Sequence, residues 1–247
     1  SSKKKGAVII RVCNDIIDRH AGAEEVTRVF AEELGLNIGE TSPDGRFTLE
    51  HTPFLGMSDQ APAALVNDTV VSSLTPGMAR QIAAQLKQSA DPGKLDLPLG
   101  DGNNAHPLVS SMVNNNIQHI GDVLLCDVPD SAGLRKALDQ QPGEVIEELW
   151  QSGLTGRGGA GFPTARKWRL AAETHAKRRI VICNADEGEP GTFKDRVLLT
   201  ERAELMVEGM TLAAYAIHSD QGFIYLRGEY AYLAPYLESV LQGRRDR

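Results

Sequence analysis

The stretch Gly156-Arg157-Gly158-Gly159-Ala160-Gly161-Phe162 places four glycines in six positions. So little side-chain bulk lets backbone N–H groups come close to a phosphate or a flat ring. Lys167 follows at a spacing that suits a phosphate or ring partner, although a solvated surface lysine fits the same position. Beyond the apolar run at residues 179–183 come Asn184, Asp186, Glu187 and Glu189. At the carboxyl end of a strand, such groups accept hydrogen bonds from ribose or ribityl hydroxyls. Three acids this close repel one another unless hydroxyls, ammonium groups or N–H donors offset them. Capping of the following helix accounts for one of the three, not for all. Phe162 is either core or a stacking surface for an aromatic base or nicotinamide. These residue types together describe a dinucleotide or flavin redox site.

The elements around them decide between the two. A dinucleotide G-x-G-x-x-G turn requires a strand immediately before it. Here residues 144–150 have helical spacing, so an ordinary Rossmann turn is disfavoured. A common NAD(P)-dependent dehydrogenase would instead need a strand ending at Thr155. Further expected elements are helices at 131–140, 142–151, 164–174, 193–217 and 230–241, with strands at 120–125, 179–183 (buried) and 223–226. Strands alternating with helices argue for a parallel sheet covered on both faces. Nearer the N-terminus, a strand at 7–12, a helix at 24–36, a strand at 47–50, a hairpin about Asn67-Asp68 and a helix at 76–86 give the order β-α-β-β-β-α. That order suits a thioredoxin-like domain. Turn residues crowd 89–107 and no period persists there. The partition is therefore 1–88, a linker at 89–107, and 108–247. The fold class is α/β.

Composition narrows the function classes. The chain has 247 residues, 41% hydrophobic and 24% charged, as expected of a globular protein with a core. A net charge of −7 argues against a nucleic-acid surface. No apolar run reaches a membrane span, and a signal-peptide core with its cleavage site is missing, so the expected compartment is the cytoplasm. Cys13, Cys126 and Cys183 form no C-x-x-C pair and read as free, buried thiols. The six histidines have no metal-ligand spacing, and no metal ligand is assigned. Ser58 and Ser110 lack the partners of a nucleophile. The absence of an initial Met and the ending on Arg244-Arg245-Asp246-Arg247 suggest a fragment of something longer.

Three ordered motifs carry a resemblance. They are residues 153–164 with Lys167-Trp168, residues 183–196 (Cys-Asn-Ala-Asp-Glu-Gly-Glu-Pro-Gly-Thr-Phe-Lys-Asp-Arg), and Tyr225-Leu226-Arg227-Gly228-Glu229-Tyr230. Together they resemble the FMN- and NADH-binding flavoprotein subunit of respiratory complex I and its relatives. Residues 1–88 are similar to the thioredoxin-like [2Fe–2S] domain that accompanies it. Of that domain's four cluster cysteines only Cys13 is matched; Asp18, Phe54 and Ser58 stand at the others. A cluster-less ferredoxin domain fused to the flavoprotein resembles the diaphorase subunit of soluble NAD-reducing [NiFe] hydrogenases, with the flavoproteins of NAD-dependent formate dehydrogenase and of NADH:quinone oxidoreductase as neighbours. The resemblance implies the first part of a Rossmann-like FMN/NADH-binding domain. It implies hydride exchange between NAD(H) and FMN, with electrons passing onward to iron–sulfur clusters in a missing C-terminal part or in partner subunits.

By carry-over, Gly156, Arg157, Gly158, Gly159, Lys167, Asn184, Asp186 and Glu187 hold FMN, while Phe162 and Glu189 contact NADH. No protein acid or base is implied as catalytic. Leu170 stands where the family has a second aromatic, and the rest of the flavin site is expected beyond Arg247. A chain that has lost its cluster is also open to a docking role, packing against iron–sulfur and hydrogenase subunits.

Overall fold

The computed structural model describes residues 4–98, 106–109, 111–115 and 117–246. Ser110 and linker positions 99–105 lie outside that set. In chain order the first elements are β1 (Val8–Cys13), α1 (Ile16–His20), α2 (Ala23–Leu34), β2 (Glu40–Thr41), β3 (Phe47–Thr52), β4 (Ala64–Val66), β5 (Thr69–Val71) and α3 (Pro76–Ser89). There follow α4 (Ala132–Leu138), α5 (Pro142–Gln151), α6 (Thr164–Glu173), β6 (Ile180–Ala185), α7 (Lys194–Glu201), α8 (Ala203–Ile217), β7 (Gln221–Leu226) and α9 (Ala234–Arg245). No helix among the described residues is long and apolar enough to cross a membrane.

The chain divides into two compact units. The first comprises residues up to 119 together with 186–201 and the segment from 227 onward. Its five-stranded sheet has the order β2-β3-β1-β4-β5, with β1 parallel to β3 and antiparallel to β4. Local sequence explains the elements. In β1 the side chains alternate, so Val8, Ile10 and Val12 are buried while Ile9 and Arg11 are only partly so. Helix α2 stops where Gly35 takes φ +64° and its N–H bonds back to Ala31 and Glu32 carbonyls. Thr75 caps α3 by accepting from the Met78 N–H, and Pro76 sits in the first turn. Asn67 turns the β4–β5 hairpin at φ +52° and accepts from the Ile9 N–H at 2.8 Å. Val26, Val29 and Phe30 of α2 join Ile82 and Leu86 of α3 over Val8, Ile10 and Leu49 of the sheet.

The second unit comprises residues 120–185 and 202–226. Here β6 and β7 pair in parallel, with Ile180 opposite Gln221 and Ala185 opposite Leu226. Helix α5 begins with a reciprocal cap between Gln141 and Glu144, and Ile146 packs with Ala165 of α6 and Ala216 of α8.

Several expectations are corrected. Residues 120–125 form turns rather than a strand, and Ile120 and Val123 are 71% and 79% exposed. The Leu124 and Leu125 carbonyls, and that of Cys126 just beyond, accept from the Arg202 guanidinium instead of a ladder partner, at 3.2 Å for Leu124 and 3.4 Å for Cys126. Residues 193–217 are largely helical as expected, in two helices that part at that same Arg202, which takes φ −138° and ψ 32°. Strand β6 is not buried: Ile180 and Ile182 are exposed on one face, because among the described residues its only strand partner is β7. Residues 228–233 form a 3-10 turn before α9 starts. Cys13 is buried as expected, while Cys126 and Cys183 are half-buried.

The sheet core gives a stability prediction. Leu49→Ala, at a fully buried position, costs about 2–5 kcal/mol in a denaturant titration. Leu170→Ala, on the exposed side of α6, changes stability by less than about 0.5 kcal/mol. Equal losses at both positions would contradict this placement of the core.

Candidate functional site

In the first unit, the positions corresponding to cluster ligands now serve other purposes. Cys13 ends β1, and burial pushes its thiol well above the ordinary range. The Asp18 carboxylate beside it accepts from the Ala63 N–H at 2.8 Å, and burial raises its pKa to about 6. The Cys13 sulfur and carboxylate oxygens of Asp15 and Asp18 lie within 4.8 Å of one another. Asp15, however, is engaged as the cap of α1, accepting from the Ile17 and Asp18 N–H groups at 2.8 Å each. Phe54 is buried under the Arg227 guanidinium, which lies 5.1 Å from its ring centre. Ser58 Oγ lies 3.5 Å from Asp15. One thiol with a carboxylate, a phenyl ring and a hydroxyl does not replace four thiolates, so residues 13, 18, 54 and 58 do not fit a [2Fe–2S] cluster.

The acidic segment belongs to the same unit. Asp186 and Glu189 are exposed, but Glu187 is buried. One Glu187 oxygen accepts from the Asp195 N–H at 2.9 Å; the other accepts from the Arg196 N–H at 3.2 Å and the Tyr230 hydroxyl at 2.9 Å. It thus caps α7, as expected of one acid in the three. Burial and the adjacent Glu187 push the Tyr230 phenol above its usual range, so it keeps the proton it donates.

Arg196 is fully buried. It makes a two-pronged pair with Asp59 at 2.8 and 2.7 Å, donates to the Gly56 carbonyl at 2.9 Å, and reaches Asn115 Oδ1 at 3.3 Å. Burial acts to lower its pKa, but the bonds to Asp59 outweigh this and raise it. Arg227 donates to the backbone oxygens of Glu187 and of Phe54, the latter at 3.2 Å. The sequence motifs contain Arg196, Arg227 and Tyr230 without revealing what they do. Asp59 and Arg196 are 137 positions apart, and no local period links them.

In the second unit the glycine loop is closed at its base. Thr155 and Pro163 form an antiparallel bridge. The Gly156 N–H donates to the Phe162 carbonyl at 2.9 Å, and the Thr164 N–H to the Leu154 carbonyl at 3.0 Å. Above that base, residues 157–161 make no backbone hydrogen bond among the described residues. Gly159 and Gly161 take φ +102° and +59°, and a Cβ added at Gly158, Gly159 or Gly161 would meet nothing within 4 Å. The loop is an open set of donors. It leads into α6, whose first turn has no side-chain cap; the Thr164 and Lys167 N–H groups bond to backbone carbonyls, and the positive end of the helix dipole favours an anion there. Lys167 is exposed on α6, and Phe162 is 43% exposed with the Arg166 guanidinium 5.6 Å from its ring. Asn184 is exposed near the carboxyl end of β6. Open N–H donors beside Arg157 and Lys167 fit the phosphate of a nucleotide. Helix α5, ending at Gln151, precedes the loop where an ordinary dehydrogenase would have a strand.

The Asp18 geometry makes a second prediction. Its folded-state pKa lies above the ordinary 3.8, so its contribution to stability is complete below about pH 4 and is lost as pH rises through about 6. Asp18→Asn should therefore gain stability relative to wild type between pH 4 and pH 7, read as a widening difference in melting temperature. A difference that stays constant across that range contradicts the assignment.

Known proteins resemble both ends of the chain. Residues 1–87 match the thioredoxin-like [2Fe-2S] ferredoxin model, and residues 149–247 match the Nuo51 FMN-binding domain. The alpha subunit of the NAD-reducing hydrogenase HoxS of Cupriavidus necator is 45% identical over 99% of this chain and 41% of its own length. One subunit of the NADH-quinone oxidoreductase of Aquifex aeolicus is 50% identical over 39% of this chain and 22% of its own. A crystal structure of an H2-reduced NAD+-reducing [NiFe]-hydrogenase superposes with a TM-score of 0.87 at 35% identity, over 98% of this chain and 40% of that one. The chain thus spans about two fifths of the hydrogenase relative's length. Its two ends are thus similar to a thioredoxin-like [2Fe-2S] ferredoxin and to a Nuo51 FMN-binding domain, and along its length it is similar to the alpha subunit of that NAD-reducing hydrogenase.

Proposed function

We propose that this chain is the nucleotide-facing part of a diaphorase, exchanging hydride between NAD(H) and FMN for a cytoplasmic NAD-reducing hydrogenase. Its partners are the iron–sulfur and hydrogenase subunits. The ferredoxin domain occupies residues 1–88, the linker 89–107 and the flavoprotein portion 108–247. The observation that carries the reading is the glycine loop, with its closed base, unpartnered N–H donors and neighbouring cations.

The FMN-binding set comprises Gly156, Arg157, Gly158, Gly159, Lys167, Asn184, Asp186 and Glu187. The loop N–H groups and Arg157 bind phosphate, and Lys167 offsets negative charge on phosphate or ring. Asn184 and Asp186 accept from hydroxyls. Glu187, its oxygens already taken by protein donors, serves by holding its own segment in place. Phe162 stacks on the nicotinamide dinucleotide, and Glu189 accepts from its hydroxyl or amide groups. FMN, when bound, supplies a two-electron acceptor that can release electrons singly. The residues bind and orient the reactants, and none is required to carry a proton.

Two outcomes are expected. Anaerobic NADH added to the FMN-loaded intact protein bleaches the flavin's visible absorbance; unchanged absorbance would refute the function. Phe162→Ala weakens NADH binding by about tenfold, the order of a lost aromatic stack, and leaves FMN content unaltered. Unchanged NADH affinity would remove Phe162 from the site.

A further inference from the structure

The loop at residues 54–60, which the resemblance sets at two cluster-ligand positions, grips the acidic segment. Asp59 supplies the counter-charge to the fully buried Arg196. Such a guanidinium is tolerated in the interior only when its N–H groups are partnered. The Gly56 carbonyl takes one of them. Arg196 in turn offers its backbone N–H to the Glu187 carboxylate. On the other flank, Arg227 bridges the Phe54 and Glu187 carbonyls and lies over the Phe54 ring. Tyr230 completes the enclosure with its hydroxyl on Glu187. Its fit against the loop is so close that a Cβ on Gly56 would sit 2.1 Å from the Tyr230 oxygen. Glu187 is therefore held through its carboxylate and through its backbone, and each hold passes to residues 54–59 in one or two contacts.

We propose that the loop at residues 54–60 is a positioning clamp for the nucleotide-binding carboxylates, with Asp59, Arg196 and Tyr230 as positioning residues. The proposal rests on the diaphorase reading, because it assigns the clamp's purpose to Asp186 and Glu189 on either side of Glu187. A rigid Glu187 fixes its neighbours without any ligand contact of its own. Holding groups in place before the ligand arrives lowers the cost of ordering them on binding. The thioredoxin-like domain thus contributes to nucleotide affinity although its residues 13, 18, 54 and 58 do not fit a cluster.

The test uses the intact protein, stripped of flavin and titrated with FMN and then with NADH. Tyr230→Phe keeps the ring against Gly56 and removes one hydrogen bond to a carboxylate. It should weaken binding of the nucleotides about fivefold, the size of one such bond. Asp59→Asn leaves Arg196 without its counter-charge and should weaken them about tenfold or more. Ile82→Ala, in the sheet core away from the loop, should lower the melting temperature and leave both affinities at the wild-type value. Affinity thereby separates positioning from mere stability. If Asp59→Asn does not fold, Tyr230→Phe decides alone. Wild-type affinity in folded Tyr230→Phe overturns the clamp while leaving the diaphorase reading intact. Failure of the wild type to bind either nucleotide overturns both.

Discussion

Burying a guanidinium is the constraint on which the first unit is built. Arg196 has no exposed surface, and removing its charge from water is unfavourable unless carboxylate, carbonyl and amide oxygens surround it. Those oxygens come from Asp59, Gly56 and Asn115. The residues lie far from Arg196 in sequence, so the pair specifies one arrangement of the chain. Glu187 sets a second such demand next to it, met by two backbone N–H groups and a phenol. These bonds lie within the compact unit that residues 186–201 and 227 onward form with residues up to 119.

The loop at residues 54–60 is held by a buried Phe54 and by the Asp59 pair with Arg196. Aromatic burial gives affinity without direction, whereas the two-pronged pair gives direction. The sheet and its helices rest instead on the core of Val8, Ile10 and Leu49.

Much of this was legible in the sequence, and the division follows interaction range. Helix α5 could be read because Pro142, Glu144 and the apolar positions act within one or two turns. The Asn67 hairpin and the end of α2 at Gly35 are equally local. Glu187 as a helix cap was within reach for the same reason. Residues 120–125 misled because an apolar run becomes a strand only with a ladder partner, and Arg202 took its carbonyls. The clamp was invisible because the partners of Asp59 are defined only by the tertiary fold. The small side chains of the glycine loop were legible in the sequence, but its closure by Thr155 and Pro163 was not.

Everything proposed for function returns to the unpartnered N–H groups at residues 157–161. Amide hydrogen exchange of that loop in the intact protein, with and without FMN, measures their occupation directly. The account predicts fast exchange without FMN and marked slowing across residues 156–161 when it binds. Bound FMN with exchange there unchanged would contradict it.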